Sequence, residues 1–530
     1  MAKPPGLGYD PVYPHNCCAT LCEAIYGRVV NKVILPTAVG LLIIFQLPDK
    51  VLAGVRPHFG GGAKLLPRNV PLRDLDEYVS NISGQMKRRK YQAALEYISR
   101  RKYHKSWMNM RMFVKPDGID YTMKVKGPPR AITYRDPRGA LLLAGVALGL
   151  ESVFYNTEAG DLLPNRGPVF GKGRDSFDKA RLILSNLEGF VRPCVLSVDA
   201  SRFDRHISEA LMRAKFEVMG AMTTEAGRRI LALILEDYLR PGSIRSSQGV
   251  ELRDAPVALR SGDMDTALGN NLVSWMIHVA FNQFLTGKWD DSLLAAVEGE
   301  VGPSPHLAPH NGAAIIDGDD VLLVFEHDAV PSVLPLLTPF FRQLGIDMRL
   351  DAMTCEVPEI SWCQQQVIEI APGIFRLVRH PRKVVSSALS GPGWTCGPRG
   401  RKARALAVGS CELVLNVGVP VLESFALALV REGQGGVAAD IHGESPAYRA
   451  RMEKKVRANE VCFTRYAGVA ITPQARISFY AAFGMHPDAQ VELEQLWAGW
   501  TLDHTSHSVM FDQSTWTKTM SLGCNQPSRI

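Results

Sequence analysis

An α+β fold is predicted for this chain of 530 residues, because two hydrophobic patterns alternate along it. Some segments repeat apolar residues at helical spacing, whereas shorter apolar runs bounded by polar residues are typical of strands. Apolar residues make up 46% of the sequence and charged residues 21%, so the chain can bury a large core. This composition excludes a disordered tail or a fibrous protein.

A short strand is predicted at Cys194–Asp199, an apolar run that ends in a carboxylate. Such a run suits a buried strand that delivers a side chain at its tip. Ser208 is a candidate N-cap for the next segment, in which Leu211, Phe216 and Met219 have the spacing of an amphipathic helix.

A long helix and an antiparallel hairpin are predicted further along the chain. Thr266–Thr286 repeats apolar residues on one side of a helix, and Gly287 follows as a stop signal. Two apolar runs, Ala313–Ile316 and Val321–Phe325, flank the acidic segment Asp317–Asp320. This arrangement is typical of a hairpin that carries acids at its turn.

Positive charge is concentrated in the first quarter of the chain. The whole sequence has 60 Lys and Arg against 53 Asp and Glu, a net charge of +7. Residues 1–138 alone hold 23 basic and 10 acidic residues. A basic segment on a nearly neutral body suggests a polyanion as partner.

The ten cysteines stand at irregular positions, which is typical of reduced thiols in a cytosolic protein rather than of a secreted disulfide scaffold. Cys17, Cys18 and Cys22 lie near His15 in the sequence. No second ligand pair follows at zinc-finger spacing, so we favour chance clustering over a zinc site.

No membrane crossing is predicted from the sequence. The most apolar stretch, Val33–Leu47, is shorter than the roughly 20 residues that a membrane-spanning helix needs. It is also interrupted by Pro36 and Gly40, and it lacks the layout of a signal peptide.

Acidic residues follow apolar strands at two places. Asp199 ends the first strand and Asp204 follows five residues later, while Asp319 and Asp320 lie at the turn of the hairpin. Strand ends hold side chains rigidly, and acids held side by side repel each other unless cations lie between them. Paired divalent ions such as Mg²⁺ are therefore expected here. The alternative is a plain hairpin turn, since Gly-Asp-Asp also occurs by chance.

Between the two acidic sites, a glycine-containing turn at Ser261–Asp265 leads into the long helix. Thr266 and Asn270 are four residues apart and therefore share a face of this helix. A short polar pair away from the apolar side is placed to touch a ligand rather than to pack in a core. Taken alone, Ser-Gly at a helix entry is more often an ordinary cap.

Three motifs in this order resemble motifs A, B and C of the RNA-dependent RNA polymerases of positive-strand RNA viruses. They are Asp199-x4-Asp204, Ser261-Gly-x3-Thr266-x3-Asn270 and Gly318-Asp319-Asp320. The residues Asp199-Ala-Ser-Arg-Phe-Asp204 and Ser261-Gly-Asp-Met are similar to the tombusvirus-like group in particular. The likeness extends over about residues 13–435, and Lys124–Arg138 resembles motif F.

The resemblance implies a role for each matching side chain. Asp199 and Asp319 would be the principal metal ligands, with Asp320 in support. Four residues would surround the incoming ribose: Asp204, Ser261, Thr266 and Asn270. Since a 2′-hydroxyl both donates and accepts hydrogen bonds, a carboxylate and an amide can distinguish ribonucleotides from deoxyribonucleotides. Three basic residues would face the triphosphate: Lys124, Arg130 and Arg138.

The resemblance also implies a right-hand polymerase, in which fingers, palm and thumb are arranged around an antiparallel palm sheet. The expected divisions are residues 1–110 for an N-terminal extension and fingertips, 111–190 for fingers with motif F, 191–215 for palm with motif A, 216–255 for a fingers insertion, 256–375 for palm with motifs B to E, and 376–530 for the thumb and C-terminal segment.

Two basic segments are candidates for RNA contact. Residues 87–138 interleave Lys and Arg with aromatic residues, and residues 376–404 are basic without any acid. Positive charge gives affinity for the RNA backbone and aromatic rings stack on bases, although a solvated surface is the alternative for any single lysine. The candidate residues are Lys115, Lys126, Arg135, Arg379, Arg382 and Lys383.

Two positions differ from the pattern of the family. Asp265 stands where Asn is expected, and this extra acid is expected either to repel phosphate or alter the ribose contacts, or to point into solvent. Arg349 stands in the motif D stretch where Lys is expected. Since arginine stays charged in proteins and is a poor general acid, Arg349 would act electrostatically on the departing pyrophosphate.

The activity implied is template-directed RNA synthesis from ribonucleoside triphosphates with two Mg²⁺ or Mn²⁺ ions, in the replication of a viral RNA genome. The expected partners are the RNA template and product strand, and a viral or host protein that anchors the chain to membranes in the host cytoplasm. Two rivals stay open: a reverse transcriptase, and an RNA-binding replication protein without activity. Asp204 and Asn270 argue against the first, and the complete acidic set argues against the second.

Overall fold

The structure, a computed structural model, describes residues 14, 16–30, 34–54, 68–82, 84–115, 128–158, 162–289, 310–389, 394, 397–436 and 470–502. Two of the predicted phosphate and RNA contacts, Lys124 and Lys126, lie outside the described residues, as does His15.

The described chain mixes helices with three sheets, which confirms the α+β character of the prediction. The α-helices are α1 (Cys18–Ile25), α2 (Ala38–Gly54), α3 (Leu75–Ser80), α4 (Gln85–Arg100), α5 (Pro137–Phe154), α6 (Ser176–Leu187), α7 (Phe203–His206), α8 (Glu209–Met222), α9 (Glu225–Leu239), α10 (Thr266–Leu285), α11 (Val330–Gln343), α12 (Pro381–Ala388), α13 (Pro398–Asn416), α14 (Leu422–Glu432), α15 (Pro473–Phe483) and α16 (Pro487–Gly499).

The strands are β1 (Met110–Val114), β2 (Ala131–Arg135), β3 (Pro193–Ala200), β4 (Gly242–Ser246), β5 (Glu251–Ala255), β6 (Ala313–Asp317), β7 (Asp320–Glu326), β8 (Met348–Thr354), β9 (Ser361–Trp362), β10 (Gln365–Ala371) and β11 (Ile374–Arg379). They form sheets in the orders β2-β1-β4-β5, β6-β7-β3-β8 and β11-β10-β9. Neighbouring strands are antiparallel except for β1 and β4, which run parallel.

In the sheet β6-β7-β3-β8, strand β3 lies between β7 and β8 and is covered on both faces. Leu196 and Val198 pack in the largest core, among apolar side chains of α2, α5, α8, α10 and α11. Val195 points the other way and packs with Ile183 of α6 and Trp362 of β9. Burial on both faces explains why the sequence of β3 is a continuous apolar run rather than an alternating one.

Four predicted elements are confirmed with small shifts at their ends. The run Cys194–Asp199 lies within β3, and the long helix predicted from Thr266 is α10. The Ser208 hydroxyl caps α8 by accepting a hydrogen bond from the N–H of Leu211 at 3.3 Å. The acidic hairpin is β6 and β7, with Gly318 and Asp319 as its two-residue turn.

The prediction that Gly40 interrupts the apolar N-terminal stretch is wrong, because α2 runs through this residue from Ala38 to Gly54. A Cβ atom at Gly40 would lie 1.8 Å from the carbonyl oxygen of Gln343, at the end of α11. The Thr37 hydroxyl also donates to Oε1 of Gln343 at 2.6 Å. The glycine therefore allows a close approach between two helices instead of ending one.

One helix of the described residues, α5, is long and apolar enough to span a membrane by length and composition alone. Its mean hydropathy is 1.3, and 61% of it is buried inside the protein. Buried core helices of soluble proteins have the same length and composition, so α5 is weak evidence for a membrane span.

Candidate active site

Three strands place acids in one row across the sheet β6-β7-β3-β8. Asp199 at the end of β3 is the register partner of Asp320 on β7 and of Arg349 on β8. Asp320 is in turn the partner of Asp317 on β6. Register partners on antiparallel strands have Cα atoms about 4.5–5.5 Å apart and side chains on the same face. The structure thus brings Asp199 and Asp320 together, with Asp319 next to them at the turn.

The turn between β6 and β7 depends on its glycine. Gly318 has φ of 77°, a left-handed conformation that glycine adopts without steric cost and that two-residue hairpin loops require. Its N–H donates to Oδ1 of Asn271 at 3.1 Å, which fixes the turn against α10. Asp319 is therefore held beside the helix that also carries Asn270.

The acids at the turn are half-buried, and their pKa values reflect both burial and mutual repulsion. Burial, followed by the negative charges of Asp319 and Asp199, raises the pKa of Asp320 to about 7. Burial also raises the pKa of Asp319, although a backbone hydrogen bond and the charge of Arg130 oppose this shift. Carboxylates that resist ionisation because they are buried near other negative charges would be stabilised by a divalent cation.

Basic side chains lie at both ends of this row of acids. Lys179 Nζ lies 2.5 Å from Oδ2 of Asp317, and Lys172 Nζ lies 4.0 Å from Oδ1 of the same residue. At the other end, the exposed guanidinium of Arg349 pairs with Asp347 at 2.7 Å. Sequence reasoning missed the partners of Asp317, since the nearer one lies 138 positions away along the chain.

Asp204 and Asn270, both expected near the incoming ribose, contact each other. Arg202 adopts φ of 53° and turns the chain from β3 into α7, which carries Asp204. The Asn270 Nδ2 donates to Oδ1 of Asp204 at 2.7 Å. Burial raises the pKa of Asp204 to about 6, against this hydrogen bond, which favours the ionised form. A carboxylate and an amide are therefore presented side by side, close to the acidic row.

The loop before α10 is docked on β2. The Ser261 hydroxyl donates to the carbonyl oxygen of Ala131 at 3.2 Å, and the Gly262 N–H donates to that of Thr133 at 2.9 Å. A Cβ atom at Gly262 would lie 2.5 Å from the Thr133 oxygen, so this position requires glycine. The Thr266 hydroxyl lies 2.6 Å from the carbonyl oxygen of Arg260, within the loop. Motif B is thus packed directly against the strand of motif F.

A family model described as viral RNA dependent RNA polymerase matches residues 74–289 and 308–505 of this chain. The chain belongs to this family. The match covers all three motifs and both strands of the acidic hairpin, and it confirms the resemblance on which the sequence predictions rest.

Relatives from plant viruses support the tombusvirus-like character of this polymerase family member. The RNA-directed RNA polymerase of groundnut rosette virus (strain MC1) is 24% identical over 436 residues, which cover 80% of this chain and 46% of that protein. That of tobacco necrosis virus (strain D) is 25% identical over 488 residues, with 89% and 60% covered. That of turnip crinkle virus is 26% identical over 412 residues, with 76% and 48% covered. The chain spans about half the length of the curated relatives it matches.

The motif F residues of this family member are divided between the site and the interior. Arg130 precedes β2 and acts electrostatically on Asp319 and Asp204. Arg138 pairs with Asp136 at 2.7 Å, and its guanidinium lies 5.2 Å from the centre of the Tyr97 ring. The prediction that Arg138 faces the triphosphate stays a prediction.

Arg135 requires a correction. Its side chain is 5% exposed, and its Nε lies 3.1 Å from Oδ1 of Asp263. Its Nη1 donates to the carbonyl oxygen of Met108 at 3.2 Å, and the guanidinium lies 4.0 Å from the centre of the Tyr238 ring. The structure places Arg135 inside the protein rather than on a surface that RNA can reach, so the prediction of RNA contact is wrong for this residue.

The predicted RNA contacts near the C-terminal segment lie on β11 and α12. Arg379 pairs with Glu412 at 2.6 Å, and Lys383 contacts the side chain of Gln364. Arg382 lies in the first turn of α12. Lys115, which follows β1, donates its N–H to the carbonyl oxygen of Arg130 at 2.7 Å. None of these contacts tests RNA binding, so the four residues stay candidates.

Asp265 also requires a correction, because it neither faces the nucleotide site nor points into solvent. Its side chain is fully buried and forms an ion pair with Lys215 of α8, which is fully buried as well. The Tyr238 hydroxyl lies 3.1 Å from its other oxygen. The negative charge that sequence reasoning expected near the ribose is therefore compensated inside the protein.

The acidic row fits the ligand chemistry of a hard divalent cation, although the side chains do not form a closed metal cage. Within the described ranges, no group of three or more His, Cys, Asp and Glu side chains converges closely enough to hold an ion. Mg²⁺ commonly binds through one or two carboxylates, water and substrate phosphates rather than through an all-protein cage. Asp199 and Asp320 of this row, together with Asp319 at the turn, can supply that carboxylate share.

Proposed function

We propose that this chain carries out template-directed RNA synthesis from ribonucleoside triphosphates and thereby replicates a viral RNA genome. The observation that carries this proposal is the register pairing of Asp199 with Asp320, in which the acids of motifs A and C are neighbours at the ends of two adjacent strands. Membership of the viral RNA-dependent RNA polymerase family supports the same activity. The RNA template, the product strand and ribonucleoside triphosphates are then the ligands.

Two divalent ions, Mg²⁺ or Mn²⁺, would supply the stabilisation of negative charge on the attacking 3′-hydroxyl and on the leaving pyrophosphate. Asp199 and Asp319 would hold them, and Asp320 would support these ligands from the adjacent strand position. Burial and then crowded negative charge raise the pKa of Asp320, and a bound cation would relieve the crowded charge.

The Asp204–Asn270 pair would read the ribose of the incoming nucleotide. Asp204 accepts from Asn270 through one oxygen, which leaves its second carboxylate oxygen for a 2′-hydroxyl. Ser261 and Thr266 have hydroxyl oxygens that can accept while their protons are donated to the backbone. A deoxyribonucleotide would leave this half-buried carboxylate without its hydroxyl partner, which costs binding energy.

Basic residues would orient the phosphates and the RNA strands. Arg130 would approach the triphosphate, since its charge already reaches Asp319 and Asp204, and Lys124 and Arg138 are further candidates from motif F. Arg349, opposite Asp199 on β8, would stabilise departing pyrophosphate electrostatically.

Candidate RNA contacts are Lys115, Lys126, Arg379, Arg382 and Lys383. If they bind the RNA backbone, log affinity for a single strand should fall with log salt at a slope of about 0.7 per phosphate neutralised.

The division into fingers, palm and thumb belongs to this proposal. The sheet β2-β1-β4-β5 joins the segments assigned to fingers on either side of motif A, residues 111–190 and 216–255. The described residues after β11 contain five α-helices in succession, α12 to α16, which suits a helical thumb. Replication in the host cytoplasm follows from the viral family, and a membrane-anchoring viral or host protein is the partner we propose for attachment.

The decisive experiment combines purified protein, a short RNA template, labelled ribonucleotides and Mg²⁺, with Asp319→Ala and Asp328→Ala run beside it. Asp328 is an exposed acid after the same hairpin, so its variant controls for a change of charge. RNA synthesis by the wild type and Asp328→Ala, but not by Asp319→Ala, is the expected result. Preferred incorporation of deoxyribonucleotides would indicate a reverse transcriptase instead, and RNA binding without synthesis would indicate an inactive replication protein.

A further inference from the structure

A cluster of buried charges lies beneath the motif B loop, away from the acidic row. It contains two acids of the loop, Asp263 and Asp265, and two cations from other elements, Arg135 of β2 and Lys215 of α8. The Tyr238 hydroxyl of α9 connects the two ion pairs, since it lies 2.9 Å from Oδ2 of Asp263 and 3.1 Å from Oδ1 of Asp265. The predicted roles of motif B do not account for this cluster.

Asp265 occupies the residue before α10 but does not cap the helix. An Asp at this position commonly accepts a hydrogen bond from a backbone N–H of the first turn, and the Asp265 side chain makes no such bond. Its carboxylate turns inward to Lys215 instead. The start of α10 is thus attached to α8 by an ion pair, and the helix lacks a side-chain N-cap hydrogen bond from Asp265.

The ion pair joins α8 to the start of α10, which carries Asn270. Lys215 is on α8, which begins at Glu209, five residues after Asp204 of α7, and Asp265 immediately precedes α10. The stem of Lys215 also lies over Gly269, where a Cβ atom would be only 3.3 Å from the Lys215 Cδ. The distance between Asp204 and Asn270 therefore depends on where Lys215 holds the first turn of α10.

Stability alone does not explain such a pair. Replacing a buried ion pair with neutral side chains of similar volume is often neutral or stabilising, whereas removing one partner leaves an uncompensated charge. What a buried pair supplies is a defined geometry, because each charge has one satisfactory position. Here that geometry belongs to the loop and the helix turn on which Ser261, Thr266 and Asn270 stand.

We infer that Lys215 and Asp265 act as one unit that positions motif B for recognition of the ribose 2′-hydroxyl. They are positioning residues, since neither is exposed to a ligand. The presence of Asp265 instead of the expected Asn is therefore linked to Lys215. If residue 265 were Asn, Lys215 would be buried without a counter-charge, so residue 215 would have to be neutral. This inference rests on the proposed polymerase function.

The test measures KM, kcat and the ratio of ribonucleotide to 2′-deoxyribonucleotide incorporation in RNA primer extension for Lys215→Met, Asp265→Asn and the double variant. Each single variant is expected to raise KM for the ribonucleotide and to lower the ratio by about fivefold or more. The double variant buries no net charge and is expected to return both values to within about twofold of the wild type. Arg213→Met, at a half-buried position on α8 whose side chain pairs with Glu209, is the control and should leave both unchanged.

Synthesis by the wild type separates this inference from the function on which it rests. An inactive wild type would overturn both, whereas an active wild type whose single variants keep the wild-type ratio would overturn the inference alone. A lower melting temperature without a change in the ratio would show a purely structural pair, and equal defects in the double and the worse single variant would show no coupling. If the single variants do not fold, Tyr238→Phe, which removes the linking hydroxyl without changing charge, must lower the ratio for the inference to stand.

Discussion

Two pairs of neighbouring acids in this protein differ in how their charge is compensated. Asp263 and Asp265 are buried, and each is paired with a cation of the protein. Asp319 and Asp320 are half-buried, and neither forms an ion pair with a Lys, Arg or His among the described residues. The same residue type therefore serves structure where the fold supplies a cation, and is available to a ligand where the fold withholds one.

The largest effect should follow from neutralising the uncompensated pair. Asp320→Asn is expected to reduce RNA synthesis by about 10³-fold or more, because it removes charge that the transition state requires. The same change should raise the free energy of unfolding at pH 8 without divalent ions, on the order of 2 kcal/mol, since ionised Asp320 is disfavoured in the folded state. Primer extension and denaturant titration measure the two effects. A variant that is inactive and also less stable would contradict the comparison.

Removing the cation that compensates a buried acid should lower stability instead of raising it. Arg135→Met leaves Asp263 buried without its partner and is expected to lower the free energy of unfolding by about 3–5 kcal/mol. Arg213→Met removes an arginine whose ion pair with Glu209 is partly solvated, and it should cost less than about 1 kcal/mol. Denaturant titration of both proteins makes the measurement, and similar costs for the two would remove the distinction between the regions.

The pH dependence of cation binding should sharpen the comparison. Since burial and neighbouring charges raise the pKa of Asp320 to about 7, this group is largely protonated below that pH and ionised above it. The melting temperature gained on adding Mg²⁺ is therefore expected to increase between pH 6 and pH 8, as protons stop competing for the carboxylate. In Asp320→Asn the increase should be much smaller. A gain that is constant across this range in the wild type would show that Asp320 does not take part.

The smallest effect is expected at Arg349, at the far end of the acidic row. Arg349→Lys should keep or raise turnover, because lysine retains the charge and can also donate a proton to pyrophosphate, whereas Arg349→Ala should lower turnover roughly twofold to tenfold. The pairing of the exposed Arg349 with the half-buried Asp347 limits the size of the effect. Steady-state rates at saturating nucleotide decide the matter, and three equal rates would remove Arg349 from the chemistry.

The parts of the site that the sequence predicted are those encoded by local pattern. The run before Asp199 and the paired runs around Gly318 fixed the strands and their acidic ends, because a strand and a two-residue turn each have a short signature. The spacing of Thr266 and Asn270 likewise placed both on α10, since helical periodicity is local.

The parts that the sequence did not reveal are contacts between distant positions. Lys215 and Asp265 are 50 residues apart, and nothing in either segment marks them as partners. Arg135 stands in a basic stretch whose pattern suggests an RNA surface, yet its position at the end of β2 turns it inward to Asp263. Burial of a charge depends on what the rest of the chain brings to it, so composition alone cannot separate an internal cation from a surface one.

The parallel pairing of β1 with β4 has a consequence for how the chain is made. Met110 pairs with Ile244, and β2 reaches the sheet only through β1. During synthesis on the ribosome, β1 lacks its partner β4 until the five α-helices α5 to α9 and strand β3 have emerged. A truncated product that stops before Gly242 would therefore expose an unpaired strand edge, and it would be a natural target for chaperones or proteolysis.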